Sequence, residues 1–136
     1  TAAYKNLLGV DPVGFSSPGW VSDDRLAPLL AASGYRYMAD LHGVGDHTGS
    51  GALRNFATVL TGEPGGVGFF ESCMARGLAT EQMLEEINAK VAGSPEPVVL
   101  YDHPCFAGLR GRPLLRSLLE HAKAKGWNLV TLAENI

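Results

Sequence analysis

Twice in this sequence, a helix-like stretch ends at a glycine, and an aromatic residue then leads into a strand-like stretch. The first instance is Ser33-Gly34-Tyr35-Arg36-Tyr37, and the second is Lys125-Gly126-Trp127-Asn128-Leu129. Glycine ends helices because it adopts the left-handed backbone conformation without a steric penalty. The pattern is typical of the joint between a helix and a following strand. It predicts an α/β fold with parallel strand pairing.

The remaining patterns predict an alternation of helices and short strands. Helices are predicted over residues 2–8, 23–33, 80–92 and 113–125, and strands over 13–15, 35–41, 56–60, 97–101 and 127–132. Ser22 is the predicted N-cap of the second helix, and Pro28 is expected to kink it. Residues 42–50 and 62–68 are rich in glycine and predict loops.

Composition limits the classes of function that this chain can have. The 136 residues suit one domain, and 46% hydrophobic residues against 18% charged ones predict a buried core. A net charge of −3 argues against nucleic acid as a partner. Cys73 and Cys105 are too few for a disulfide scaffold, and no apolar run reaches the length of a membrane span. With no targeting signal in the sequence, the cytoplasm is the default expectation.

The predicted strand ends indicate where chemistry is expected, because ligands of α/β proteins bind at the carboxyl ends of parallel strands. Residues 16–20, 40–46 and 102–108 follow such ends. His103 comes directly after the strand with the clearest pattern, and histidine is suited to general acid or base catalysis near neutral pH. Asp40 or Asp102 is the expected carboxylate partner of the imidazole. The alternative is a histidine that only bonds to the loop backbone.

Two further clusters have alternative interpretations. Asp40, His42 and His47 offer imidazole and carboxylate ligands for a metal, but their spacing matches no standard pattern, which favours a solvated loop for the two histidines. Cys105 is close enough in sequence to His103 to suggest a thiol nucleophile, although pocket lining is the favoured interpretation. Trp20 and Phe106 are candidates for stacking on a sugar, with core packing as the alternative.

Three segments, taken in order, resemble motifs of one enzyme family. Ser16-Ser17-Pro18-Gly19-Trp20 is similar to an Arg-x-Pro-Gly-Trp motif, and the segment from Gly34 to Asp40 is similar to a Gly-aromatic-x-Tyr-x-x-Asp motif. The segment from Val98 to Pro104 is similar to a strand that leads to a histidine. Together they resemble the polysaccharide deacetylase (NodB-like, carbohydrate esterase family 4) domain, and within it the branch of the formamido-arabinose lipid deformylases.

The resemblance implies a fold and a reaction. The family fold is a distorted (β/α)7 barrel, and its members remove acetyl or formyl groups from N-acylated sugars with a divalent metal, zinc first among the candidates. His103 would be the general acid, and Asp40 the carboxylate that orients it. The substrate-binding residues would be those of the first segment and of the turn after His103: Ser16, Ser17, Pro18, Gly19, Trp20, Cys105 and Phe106.

The chain also departs from the family pattern. Ser16 stands where the family has arginine, and no segment matches the family's Asp-Asp and His-x-x-x-His motifs, which supply the base and the metal ligands. Residues 1–136 are therefore expected to be the C-terminal half of such a domain, inactive alone, with the N-terminal half as its partner. Association with further copies of the chain is a second expectation, because a half barrel exposes strand edges. A non-catalytic α/β ligand-binding module is the alternative function.

Overall fold

The computed structural model describes residues 2–20, 25–40, 53–62, 66–95 and 97–136. Its helices are α1 (Ala2–Leu8), α2 (Leu26–Ala32), α3 (Phe69–Ala75), α4 (Thr80–Gly93), α5 (Pro104–Ala107) and α6 (Arg112–Ala124). Its strands are β1 (Gly14–Phe15), β2 (Tyr37–Met38), β3 (Arg54–Asn55), β4 (Thr58–Leu60) and β5 (Val99–Leu100), and 3₁₀ turns cover Pro18–Trp20 and Leu132–Asn135. The chain divides into two compact units, one of Thr1–Ala57 with Val130–Ile136 and one of Thr58–Leu129.

The first unit contains a parallel sheet in the order β1-β2-β3. Gly14 pairs with Tyr37, and the Tyr37 ring lies directly over it. A side chain at Gly14 would require this ring to move. Below the sheet, a small core forms around buried side chains from α2, β2 and the residue before β3: Ala27, Leu30, Met38 and Leu53.

The second unit contains β4 and β5, which are also parallel and pair Thr58 with Val99. Its core joins the sheet to α3 and α4 through Leu60, Phe69, Phe70, Cys73, Met83 and Ile87. Helix α6 adds half-buried leucines at helical spacing, which pack against this core. The parallel α/β class predicted from the sequence is therefore confirmed. None of the helices within the described ranges is long and apolar enough to cross a membrane.

Several predicted boundaries were wrong. Helix α2 begins at Leu26 after the N-cap Arg25, and the predicted N-cap Ser22 lies outside the described residues. Pro28 then lies in the first turn, where a helix leaves backbone N–H groups unbonded anyway, so proline is tolerated there. The sequence analysis also missed the short helices α3 and α5. Residues 21–24 and the predicted loop 42–50, with His42 and His47, lie outside the described residues.

The predicted last strand over 127–132 is absent from the described structure, where these residues lead without a strand into the 3₁₀ turn at Leu132. The glycine and aromatic residue after the preceding helix, Gly126 and Trp127, suggested a strand. Leu129 and Val130 are instead 60% and 43% exposed. Strand propensity depends on packing against neighbouring strands, and these side chains are not packed in that way.

Candidate functional site

The backbone around His103 is held from both sides. On the strand side, Tyr101 N–H donates to Leu60 O at 2.9 Å. On the helix side, His103 is the N-cap of α5, and its carbonyl accepts the N–H groups of Phe106 and Ala107 at 2.9 and 2.8 Å. The histidine therefore lies directly after β5, as the sequence predicted, and these bonds leave its main chain little freedom; helix α5, which follows it, was not predicted.

Both ring nitrogens of His103 have side-chain partners. Nδ1 lies 3.0 Å from Oε2 of Glu71, and Nε2 lies 2.9 Å from the hydroxyl of Tyr101. The side chains of His103 and Glu71 are 40% and 26% exposed, so the pair is partly accessible to solvent. A carboxylate on one ring nitrogen orients the imidazole. The arrangement has the parts required for proton transfer.

Glu71 is itself fixed by the first turn of α3. Its Oε2 atom also accepts the backbone N–H of Gly68, the N-cap residue, at 3.0 Å. The N–H of Gly68 chiefly, and His103 secondarily, lower the pKa of Glu71 from its usual value. The lowered pKa favours the ionised carboxylate, which is the form that pairs with an imidazolium.

Asp102 has a different role from the one predicted for it. Its carboxylate accepts the backbone N–H groups of Phe70 at 2.6 Å and of His103 at 2.9 Å, so it engages the main chain of His103 and not its imidazole. Burial raises the pKa of Asp102, and these backbone donors oppose that effect. A Cβ at Gly68 would lie 2.7 Å from Cγ of Asp102. The Asp102 carboxylate thus accepts a backbone N–H in the first turn of α3, where the N-cap residue, Gly68, has no side chain that could do so.

The second candidate carboxylate, Asp40, lies in the first unit. It is fully buried, and its two oxygens accept the N–H and the hydroxyl of Ser17, each at 2.7 Å. The neighbouring Ser16 hydroxyl donates to Ala39 O at 2.8 Å. These bonds connect the end of β2 to the turn after β1. They give Asp40 a structural role, while its predicted function as the partner of His103 stays a prediction.

The remaining predicted substrate residues fall into both units. Pro18 and Gly19 are exposed in the first unit, whereas Trp20 is only 7% exposed, with its backbone in the left-handed region at φ 55°. In the second unit Cys105 is an exposed free thiol, and Phe106 is half-buried against the core. Because both ring nitrogens of His103 bond to other groups, nothing in the structure favours a Cys105–His103 pair.

Glu71 and Tyr101 are the site residues that the sequence analysis did not identify. A usable signal was present for Glu71: Gly68-Phe69-Phe70-Glu71 places an acid three residues after a possible N-cap, and Cys73 follows the phenylalanines at helical spacing. Tyr101 was included in a predicted strand without a role. Its partner, His103, is only two residues away in the sequence.

Two other features bear on ligand binding. A cavity of about 610 Å³ lies in the second unit between β4, α3 and α4, and its lining includes Phe69, Arg76 and Lys90 but neither His103 nor Glu71. Within the described ranges, no three His, Cys, Asp or Glu side chains come together in a way that would hold a metal ion. The metal that the family resemblance implies, with its ligands on the N-terminal half, stays a prediction.

Comparisons with protein-family models, with curated proteins and with solved structures found no match.

Proposed function

We propose that this chain supplies the proton-transferring part of a hydrolase that removes N-acyl groups from a sugar or a similar small amide. The observation that supports the proposal is the contact between Nδ1 of His103 and Glu71, on a backbone fixed at the carboxyl end of β5. A paired and partly exposed histidine at a strand end has the features of a general acid. The order of motifs that resembles the polysaccharide deacetylases supplies the class of substrate.

The chemistry required of His103 is limited and well defined. When water adds to the amide carbonyl, the C–N bond breaks only if the leaving nitrogen takes up a proton. An imidazolium at His103 would donate that proton and become neutral. The acyl group leaves as a carboxylic acid, and the sugar leaves as an amine. General acid catalysis of this kind contributes roughly 10²- to 10⁴-fold to a rate.

The family resemblance also implies a divalent metal, which would polarise the amide and activate the water. Since no group of potential ligands converges within the described residues, we derive no step through the metal. We propose that the metal, zinc first among the candidates, and the catalytic base belong to a partner segment that resembles the N-terminal half of the family domain. The complete distorted (β/α)7 barrel is part of the same proposal.

The test is acyl release by the reconstituted domain. The chain is mixed with a polypeptide that carries the Asp-Asp and His-x-x-x-His motifs of the family, zinc is added, and acetate or formate released from N-acylated aminosugars is measured. We expect activity from the mixture only, and a loss of about 10²-fold or more in kcat for His103→Gln. The matched control is His121→Gln, because His121 bonds to Asn88 at 2.8 Å outside this site. Equal rates for wild type and His103→Gln would refute the proposal.

The alternative is a non-catalytic binding module, and the 610 Å³ cavity favours it. Its apolar wall includes Phe69, and a bidentate ion pair between Arg76 and Glu86, with both contacts at 2.9 Å, borders it. Such a mixture of surfaces is typical of small-molecule sites. Binding of an N-acylated sugar without acyl release, from a mixture in which the two polypeptides co-elute, would favour this function over hydrolysis.

A further inference from the structure

We propose that Glu71 is the positioning residue of His103: its carboxylate keeps a proton on Nδ1 and leaves Nε2 as the nitrogen that exchanges protons with the substrate. This inference rests on the proposed function and deepens it, because it assigns a role to each ring nitrogen. It concerns a residue that the family resemblance does not include, since the resemblance gives the orienting role to Asp40.

The first step is the chemistry of the two partners. An ionised carboxylate only accepts hydrogen bonds, so the 3.0 Å contact with Glu71 requires a proton on Nδ1. In neutral imidazole the other nitrogen is then an acceptor. The Tyr101 hydroxyl, 2.9 Å from Nε2, can donate to it. Both neighbours therefore favour the same neutral tautomer, with the proton on Nδ1.

The second step concerns the protonated state. In the imidazolium both nitrogens carry hydrogen, and the Tyr101 oxygen can then accept from Nε2–H, because a hydroxyl both donates and accepts. Glu71 keeps the same bond in both states. Protonation and deprotonation thus change only the Nε2 side of the ring, where the leaving nitrogen takes the place of the Tyr101 oxygen and receives the proton as the C–N bond breaks.

The third step is the rigidity of Glu71. Its Oε2 atom is shared between Nδ1 of His103 and the N–H of Gly68, and α3 is joined to the His103 segment again through Phe70 N–H and Asp102. Asp102 is the other acid of this cluster, but its oxygens face backbone donors. Because Glu71 is bonded at both contacts before a substrate arrives, it can orient the ring at little further entropic cost.

The first experiment does not depend on activity. Long-range ¹H–¹⁵N spectra of the full chain at about pH 8 report which imidazole nitrogen carries the proton, and His103→Gln assigns the signals. We expect Nδ1–H in the wild type. We expect Glu71→Gln to keep this tautomer, since the amide oxygen can still accept, and Glu71→Ala to lose it. The signals of His121 are the internal control.

Two results would overturn the inference. One is an Nε2–H tautomer in the wild type, which needs no variant and is therefore independent of whether Glu71→Ala folds. The other is an unchanged Nδ1–H tautomer in a folded Glu71→Ala variant, since another group would then position the ring. In the reconstituted domain, Glu71→Ala should lower kcat about 10-fold or more and leave KM nearly unchanged.

The two proposals can fail separately. A wild type with Nδ1–H and no acyl release from any N-acylated sugar would refute the hydrolase and leave Glu71 as the residue that orients His103. Acyl release that depends on His103 but is unaffected by Glu71→Ala would refute the role of Glu71 and leave the hydrolase standing.

Discussion

Asp40 and Glu71 are carboxylates at corresponding places in the two units, since each contacts the residues that follow a parallel strand. Asp40 is fully buried, and both of its oxygens bond to Ser17. Glu71 is 26% exposed, and one of its oxygens bonds to an imidazole that is itself 40% exposed. The comparison shows that contact with residues at a strand end does not by itself distinguish a carboxylate that bonds to the main chain from one that bonds to an imidazole.

What distinguishes them is the kind of partner. The donors on Asp40 are the backbone N–H and hydroxyl of Ser17 and, at 3.5 Å, the hydroxyl of Ser16, none of which ionises near neutral pH. The partner of Glu71 is an imidazole, which both donates and accepts hydrogen bonds and can pass a proton between groups. Burial matters most for Asp40, because a fully buried carboxylate stabilises the fold only while each of its hydrogen-bond donors is present.

The largest effect is expected at Asp40. Asp40→Ala removes the acceptors of Ser17 N–H and Ser17 O–H in a buried setting, and each orphaned donor costs free energy. We expect the free energy of unfolding to fall by about 3 kcal/mol, measured by urea denaturation.

Asp40→Asn is the matched control for this prediction. The asparagine oxygen can accept from Ser17 N–H while its amide donates to the serine hydroxyl, so we expect a cost of about 1 kcal/mol or less in the free energy of unfolding.

The Asp40→Asn variant also tests which of the two carboxylates, Asp40 or Glu71, orients His103. If Asp40 orients His103, as the family resemblance implies, Asp40→Asn should disturb the imidazole ¹⁵N signals of His103. We expect no disturbance.

The next largest effect is expected at Asp102, which is less buried than Asp40 but also bonds to backbone donors. Asp102→Ala leaves the N–H groups of Phe70 and His103 without this acceptor. We expect a loss of about 2 kcal/mol in the free energy of unfolding, because at least one of these donors lies at the buried start of α3.

Gly68→Ala tests the same contact from the opposite side. Its Cβ would lie 2.7 Å from Cγ of Asp102 and would displace the carboxylate. The double variant with Asp102→Ala has no carboxylate to displace, so its cost should be clearly smaller than the sum of the two single costs. Additive costs in this double-mutant cycle would contradict the contact.

The sequence was sufficient to predict the parallel α/β class and the position of His103. Both depend on local patterns: apolar strands, glycines at helix ends, and a histidine after a strand. The partner of His103 was not predictable in the same way, because Glu71 lies 32 positions earlier in the chain. Only the pairing of β4 with β5 and the packing of α3 bring the two together. The prediction of a final strand over 127–132 was wrong for a similar reason. A strand forms where neighbouring strands pack against it, and the sequence does not identify those neighbours.

The smallest expected effect is the dependence of stability on pH at Glu71. Because the folded-state pKa of Glu71 is lowered, its ionised form stabilises the fold above the usual glutamate pKa, and that contribution is lost as the pH falls through the lowered value. Asp102, with a raised pKa, has the opposite sign and favours the folded state at acid pH. Glu71→Gln removes only the first contribution, so the difference in unfolding free energy between wild type and variant should be present at pH 7 and should disappear below about pH 4.

Urea denaturation at a series of pH values measures this gap, with Asp102→Asn as the comparison of opposite sign. A gap that stays constant from pH 7 to acid would mean that Glu71 stabilises the fold as a hydrogen-bond acceptor alone. Its charge would then have no role in holding the imidazole, and the proton-transfer assignment would depend on His103 by itself.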